Sequence, residues 1–298
     1  MPRVIQCEDN STLVLGDCVD AIAADGFEPG DRNSVDRAAS YLCRLGNDRD
    51  FLGDILIDQL CTTGGNDLTN SAYGAQAIML SDARHGFFLR ANIWPAKNDP
   101  IFQASGGHSF SYGTPHDHNF DFLTLGYFGP GYASDYYEYD HDAVAGFVGE
   151  KAGLRFVERS TLDPGKIMHY RAHLDVHGQR PPDSMSVSLN IMAIDPRQAW
   201  RDQYVFDTDA DTITGVLNPT STEVYLRLAV GLGGENALDL AENFGRMHRS
   251  DRLRLASFEA RSLLCDDAQQ EDTLWRQAEL SGSRLLTHEA QQRRAALA

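Results

Sequence analysis

Cysteine is scarce in this chain and positive charge is in deficit. Cys7, Cys18, Cys43, Cys61 and Cys265 are five residues scattered over 298, with no C-x-x-C pair among them. That argues against a disulfide-built scaffold and against a cysteine zinc site. Lys and Arg number 26 against 43 Asp and Glu, a formal charge of −17. Nucleic acids and anionic membranes are gripped through Lys and Arg, so neither is an expected partner. No uncharged apolar run nears the ~20 residues that span a bilayer. The opening stretch MPRVIQCEDN lacks the apolar core of a secretory leader. The expectation is a soluble cytoplasmic protein.

The charge is uneven along the chain. Residues 246–298 hold nine Arg and eight acids, so the acidic excess lies in the body and the tail is near neutral. Residues 34–61 read as helical, with Asp36, Ala38, Ala39, Tyr41, Leu42 and Leu45 at helical spacing and Asp50 or Asn47 as the cap of a second helix. Gly64-Gly65-Asn66 then punctuates the chain. From about 72 to 195 the segments AQAIMLSD, GFFLRANIWP, FDFLTLGYF, DYYEYDHD, AGLRFVERST, KIMHYRAHLDVH and SMSVSLNIMAI each fit a strand, with turn signals between. Helical periodicity returns from about 222. The expected fold is mainly β with α flanks: a helical segment over 1–71, an antiparallel β-barrel over 72–218, and a helical segment over 219–298.

Histidine is concentrated. Eight of the ten fall between His85 and His177. The sharpest local pattern is GTPHDHNFDF. On a strand, His116 and His118 point to one face with Cα atoms ~6.6 Å apart, so two imidazoles can converge on one ion through metal–nitrogen bonds of ~2.1 Å. Two ligands make half a site. His169, His173 and His177, in DPGKIMHYRAHLDVHGQ, share strand parity but would stand ~13 Å apart if the segment were extended. At most one of them completes the site, and the others would line or support it.

The H-D-H element resembles the first motif of the cupin superfamily, G-x5-H-x-H-x3,4-E-x6-G. His116, Asp117 and His118 occupy its centre and Gly129 its closing glycine. Phe122 stands where the motif has Glu, with Asp121 beside it, and Phe110 where it opens with Gly. The second motif, P-x-G-x2-H-x3-N, is not matched: Ala172 and Leu174 stand at its Pro and Gly when it ends on His177. Pro164-Gly165, a strand, and then His177 follow the broader cupin habit. The resemblance therefore implies a cupin-like barrel with His116, His118 and His177 as metal ligands. Without the Glu it is closest to three-histidine thiol dioxygenases of the cysteine dioxygenase type. It covers roughly residues 75–196 and implies Fe(II), a small carboxylate-bearing substrate of the amino acid or thiol class, and dioxygen.

Three neutral imidazoles leave a divalent ion its full charge and open positions for ligands. Arg90 shares a strand face with Asn92 and Trp94 and is the candidate carboxylate anchor, with Arg171 second. Eight of the 28 aromatics lie between Phe120 and Tyr139. Most suit a β core, and Tyr139 is the candidate phenol beside the metal. A metal-dependent isomerase or lyase is the alternative and would need a base, for which Glu138, Asp121 and His173 are candidates. A third reading is a non-catalytic binding or assembly protein, with a homodimer formed through the helical segments. Gly129-Pro130-Gly131 reads as a tight turn.

Overall fold

The structure is a computed structural model and describes residues 2–63 and 76–297. Gly64-Gly65-Asn66 therefore lies outside the described residues. The chain divides into two compact units. The first is Met1–Tyr139 with Leu154–Asp195, and the second is Asp140–Gly153 with Pro196–Ala298.

The first unit opens with β1 (Arg3–Ile5), α1 (Leu15–Asp25), α2 (Arg32–Asn47) and α3 (Phe51–Thr63). It continues through β2 (Ala77–Met79), β3 (Phe87–Trp94), α4 (Pro100–Ser105), β4 (Phe122–Phe128) and β5 (Ala133–Glu138). It closes with β6 (Arg155–Thr161), β7 (Ile167–Tyr170), β8 (Asp175–Gln179) and β9 (Ser186–Ala193). The expected helix pair is present. Its capping differs: Asp48, not Asp50 or Asn47, accepts the backbone N–H groups of Asp50 and Phe51. Asn47 instead donates to the Asp9 and Ser11 carbonyls.

The strands form a six-stranded sheet in the order β1-β7-β4-β9-β3-β2 and a three-stranded sheet in the order β6-β5-β8. Every pairing in both is antiparallel. The strand alternation of side chains sorts the large sheet into two walls. Leu89 and Ala91 of β3, Leu123 and Leu125 of β4, and Leu189 and Ile191 of β9 are buried with Val35, Ala38, Ala39 and Leu42 of α2 in one core. The intervening positions, among them Trp94, Phe122, Met168, Tyr170 and Met192, form a second core with Tyr132 and Tyr136.

The strand expectation over residues 166–177 needs correction. The segment is two strands in different sheets, not one. His173 breaks it at φ +60°, in the left-handed region, inside the turn between β7 and β8. The shared parity of His169, His173 and His177 is lost there.

The Gly129-Pro130-Gly131 turn joins β4 to β5 as expected. Both glycines have φ near +80°. A Cβ on Gly129 would strike the Met185 carbonyl, and one on Gly131 the Leu162 carbonyl. Only glycine meets both demands.

One disulfide is present, Cys7–Cys43, tying the segment after β1 to α2. Cysteine spacing alone gave no reason to expect it, because the pair is 36 residues apart and meets only through the fold. Cys18, Cys61 and Cys265 are free. Among the described residues no helix is long and apolar enough to cross a membrane.

The second unit carries the hairpin β10 (Tyr204–Asp207) and β11 (Thr212–Val216), followed by α5 (Ser221–Gly231), α6 (Glu235–Met247), α7 (Asp251–Ser262), α8 (Ala268–Glu279) and α9 (Arg284–Leu297). Trp275, Phe258, Leu274, Leu286 and Ala290 form its helical core. Capping is by sequence-near polar groups: Ser250 caps α7 and Asp267 caps α8.

Candidate metal centre

His116 and His118 lie just before β4, in the segment that passes from one sheet of the first unit to the other. Its backbone is fixed before it enters β4. The His116 N–H donates to the His177 carbonyl at 3.0 Å, and the His177 N–H returns to the His116 carbonyl at 2.9 Å. That reciprocal bridge sets His116 opposite His177 of β8. The third histidine thus arrives from the three-stranded sheet, as the i, i+2 pair requires.

The three donor atoms lie within 4.8 Å of one another, and all three residues are buried. The ring centroids stand 4.7 to 5.1 Å apart. His118 Nε2 and His177 Nε2 are separated by 3.0 Å. Two nitrogens at that spacing can each reach one ion through bonds of ~2.1 Å. His116 Nδ1 donates to the Thr114 carbonyl at 2.7 Å, which leaves the Nε2 lone pair facing the others.

Burial pulls the pKa of His116 down, although the Thr114 bond and Asp117 pull the other way. Burial, then His116, His177 and the Arg90 charge, hold His118 well below the usual range. Burial and His116 do the same to His177. All three are therefore neutral imidazoles at physiological pH, the form that ligates a metal. Three buried imidazole nitrogens within 4.8 Å of one another, without a carboxylate, fit a divalent transition-metal ion.

The cavity at this cluster has a volume of about 180 Å³. Arg90, Asn92 and Trp94 of β3 line it together, in keeping with their shared face. Asn190 of β9, Gln179 of β8, Ser111 and Gln76 add polar groups, and Phe122 and Tyr132 add apolar wall. Among the described residues no Asp or Glu lines it. Phe122 packs edge-on against the His118 ring at 4.8 Å, and Tyr170 lies 4.8 Å from the His177 ring. A larger open hollow of about 730 Å³, edged by Leu15, Asp20, Gln59 and Arg84, lies elsewhere in the unit and includes no histidine.

Tyr139 and His173 do not join the cavity lining. The Tyr139 hydroxyl donates to Asp117 at 2.7 Å, and His173 Nδ1 is 3.8 Å from the same carboxylate. Asp117, between the two histidines in sequence, is held there and is not among the residues that line the cavity. The other candidate bases are also engaged. Glu138 pairs with Arg155 and Arg171, and Asp121 lies 3.4 Å from His169 Nε2. Arg171 is held by Asp175 and Glu138, so it is no anchor for a substrate in the cavity.

Gln179 was not apparent from the sequence. It stands two residues beyond His177 on the same strand face, with its amide nitrogen 3.2 to 3.3 Å from the His177 ring nitrogens and its Oε1 buried without a partner. The H-x-Q spacing was its only signal.

No family model matches the chain, and no curated protein does. Solved structures do match. A proposed mannose-6-phosphate isomerase of Ralstonia eutropha is 16% identical over 44% of this chain and 97% of its own, with a TM-score of 0.22. A DMSP lyase of Ruegeria pomeroyi is 12% identical over 48% of this chain and 62% of its own, with a TM-score of 0.27. Procruciferin, the 11S globulin of Brassica napus, is 8% identical over 43% of this chain and 28% of its own, with a TM-score of 0.27.

Proposed function

We propose that the chain is a metal-dependent enzyme of the cupin type, a mononuclear non-haem iron oxygenase acting on a small carboxylate-bearing molecule of the amino acid or thiol class. One observation carries the reading. Three neutral buried histidines face a cavity whose described lining holds an arginine and no acid.

A bound ferrous ion would supply the electrons through which dioxygen reacts. His116, His118 and His177 would hold it. The chain's own contribution is then binding and exclusion. Arg90 presents a planar fork to a carboxylate. Asn92, Asn190 and Gln179 offer amide donors and acceptors around it. Phe122, Trp94 and Tyr132 add an apolar wall that narrows the space. A volume of about 180 Å³ is below the ~300–1,000 Å³ of ordinary ligand pockets, so the substrate is a molecule of few heavy atoms.

The same histidines serve a metal-dependent isomerase or lyase, in which the ion acts as a Lewis acid. That reading requires a base. Glu138, Asp121 and His173 are committed outside the cavity, which leaves the Tyr132 phenol as the titratable group on the wall besides Arg90 and the histidines.

The test is metal content of protein purified without added metal, wild type beside His116→Ala and His177→Ala, followed by turnover of small acids and thiols with and without oxygen. About one iron per chain, lost in both variants, with oxygen-dependent turnover supports the oxygenase. Metal-dependent turnover under strict anaerobiosis establishes the isomerase or lyase instead. No metal in any sample, and none taken up from ferrous ion, overturns both.

A further inference from the structure

The second unit contains a hollow of about 510 Å³ at the junction of α6, α7 and α8, lined by Glu242, Gly245, Arg246, Arg254, Phe258, Arg261, Gln277 and Ser281. Three arginines and one acid line it.

The three arginines are not equivalent. Arg254 is structural: its guanidinium donates to the Gly245 carbonyl, the Ser281 carbonyl and Asp251. Arg261 differs. Its side chain is only 14% exposed and lies over the Phe258 ring at 5.4 Å. Among the described residues it makes one ion pair, with the half-exposed Glu242 at 3.6 Å, longer than a direct hydrogen bond. Arg246 is exposed at the rim. Burial pulls the Arg261 pKa down; Glu242 opposes that, and the like charge of Arg246 adds to it. Holding two guanidiniums toward one hollow is unfavourable by itself and is offset when an anion enters.

We infer that this hollow is an anion-binding site, separate from the metal centre, which takes a small molecule bearing a phosphate or carboxylate group on Arg246 and Arg261. Gln277 and Ser281 supply neutral hydrogen-bonding groups beside them. The volume leaves room for an organic body attached to the anionic group.

The experiment is titration calorimetry of the full chain with inorganic phosphate and, separately, malonate, in a chloride buffer after chelator treatment. Wild type is compared with Arg261→Gln, Arg246→Gln and, as a control for the cavity at the histidines, Arg90→Gln. The expected result is a saturable binding step for at least one anion that is weakened about tenfold or more in Arg261→Gln and Arg246→Gln; that step persists in Arg90→Gln, which removes only any carboxylate binding at the histidine cavity. Preference between the two anions identifies the group recognised. Circular dichroism of each variant separates lost binding from lost folding. If Arg261→Gln does not fold, the exposed Arg246→Gln decides alone. No saturable binding, binding indifferent to both hollow substitutions, or binding abolished altogether in Arg90→Gln overturns the site.

Discussion

The Tyr139 hydroxyl donates a 2.7 Å hydrogen bond to the Asp117 carboxylate, and Asp117 is the residue between the two histidines of the H-D-H pair. The bond lies behind the site. It fixes the backbone from which both imidazoles project, and His173 supports it twice, through its ring 3.8 Å from Asp117 and its N–H bonded to the His118 carbonyl at 2.8 Å.

Tyr139→Phe leaves the buried Asp117 carboxylate short of a donor. The expected cost is about 1–3 kcal/mol in urea unfolding and a drop of about 10- to 100-fold in metal affinity. Metal titration of the refolded variant checks it. Unchanged affinity would place Asp117 outside the support of the ligands.

Arg90→Gln keeps all three histidines and should keep the metal. Loss of the guanidinium removes the proposed carboxylate anchor, so KM rises at least about tenfold while metal content stays at the wild-type level. Arg90→Lys restores the charge without the fork and should recover only part of the effect. Steady-state kinetics beside elemental analysis make the comparison. Loss of metal in Arg90→Gln would mean that the residue serves the ion instead.

The Cys7–Cys43 crosslink closes a loop with a sequence separation of 36. Chain entropy alone makes such a closure worth about 3–4 kcal/mol. Cys7→Ser should lower the denaturation midpoint accordingly, and a reductant should lower wild type to the same value. A midpoint insensitive to reductant would show the thiols to be unpaired in solution.

Asp135 receives Arg159 and Arg180. Burial would raise its pKa, yet the two arginines overcome that and hold it below its ordinary 3.8. The group therefore stabilises the fold above the unfolded-state value, and that contribution disappears as pH falls through the lower folded value. Acid unfolding followed by circular dichroism should show wild type losing this advantage over Asp135→Asn only below about pH 4. Equal acid midpoints would remove the pair from the stability of the fold.

The face shared by Arg90, Asn92 and Trp94 was legible because it depends only on the two-residue strand period; the H-x-H pair was legible by its spacing, although its segment is no regular strand and is bridged to β8 at His116. The third histidine was legible by resemblance and not by spacing. His173 adopts a left-handed backbone that no pattern of apolar residues announces, and with it β7 and β8 part into different sheets. Tyr139 and His173 were expected beside the metal for the same reason: linear parity cannot show that Asp117 would gather them on the reverse side. Helix α1 was hidden because its N-cap, Val14, makes no side-chain cap bond. The arginine hollow was hidden because Arg246 and Arg261 meet only when α6 and α7 pack.

The large sheet is covered on both faces, and its strands alternate one residue for the helix-side core with one for the cavity. On β3 and β9, Leu89, Ala91, Leu189 and Ile191 are core, while Arg90, Asn92 and Asn190 are cavity. Structural and chemical roles are thus interleaved along one backbone, and only the aromatic wall, Trp94 and Phe122 among it, serves both. Substitutions at the cavity positions can redraw which molecules are accepted while the packing that secures the strands stays as it was. The scaffold is accordingly suited to diverging in specificity by single replacements, and a library confined to Arg90, Asn92 and Asn190 would explore new substrates with little risk to folding.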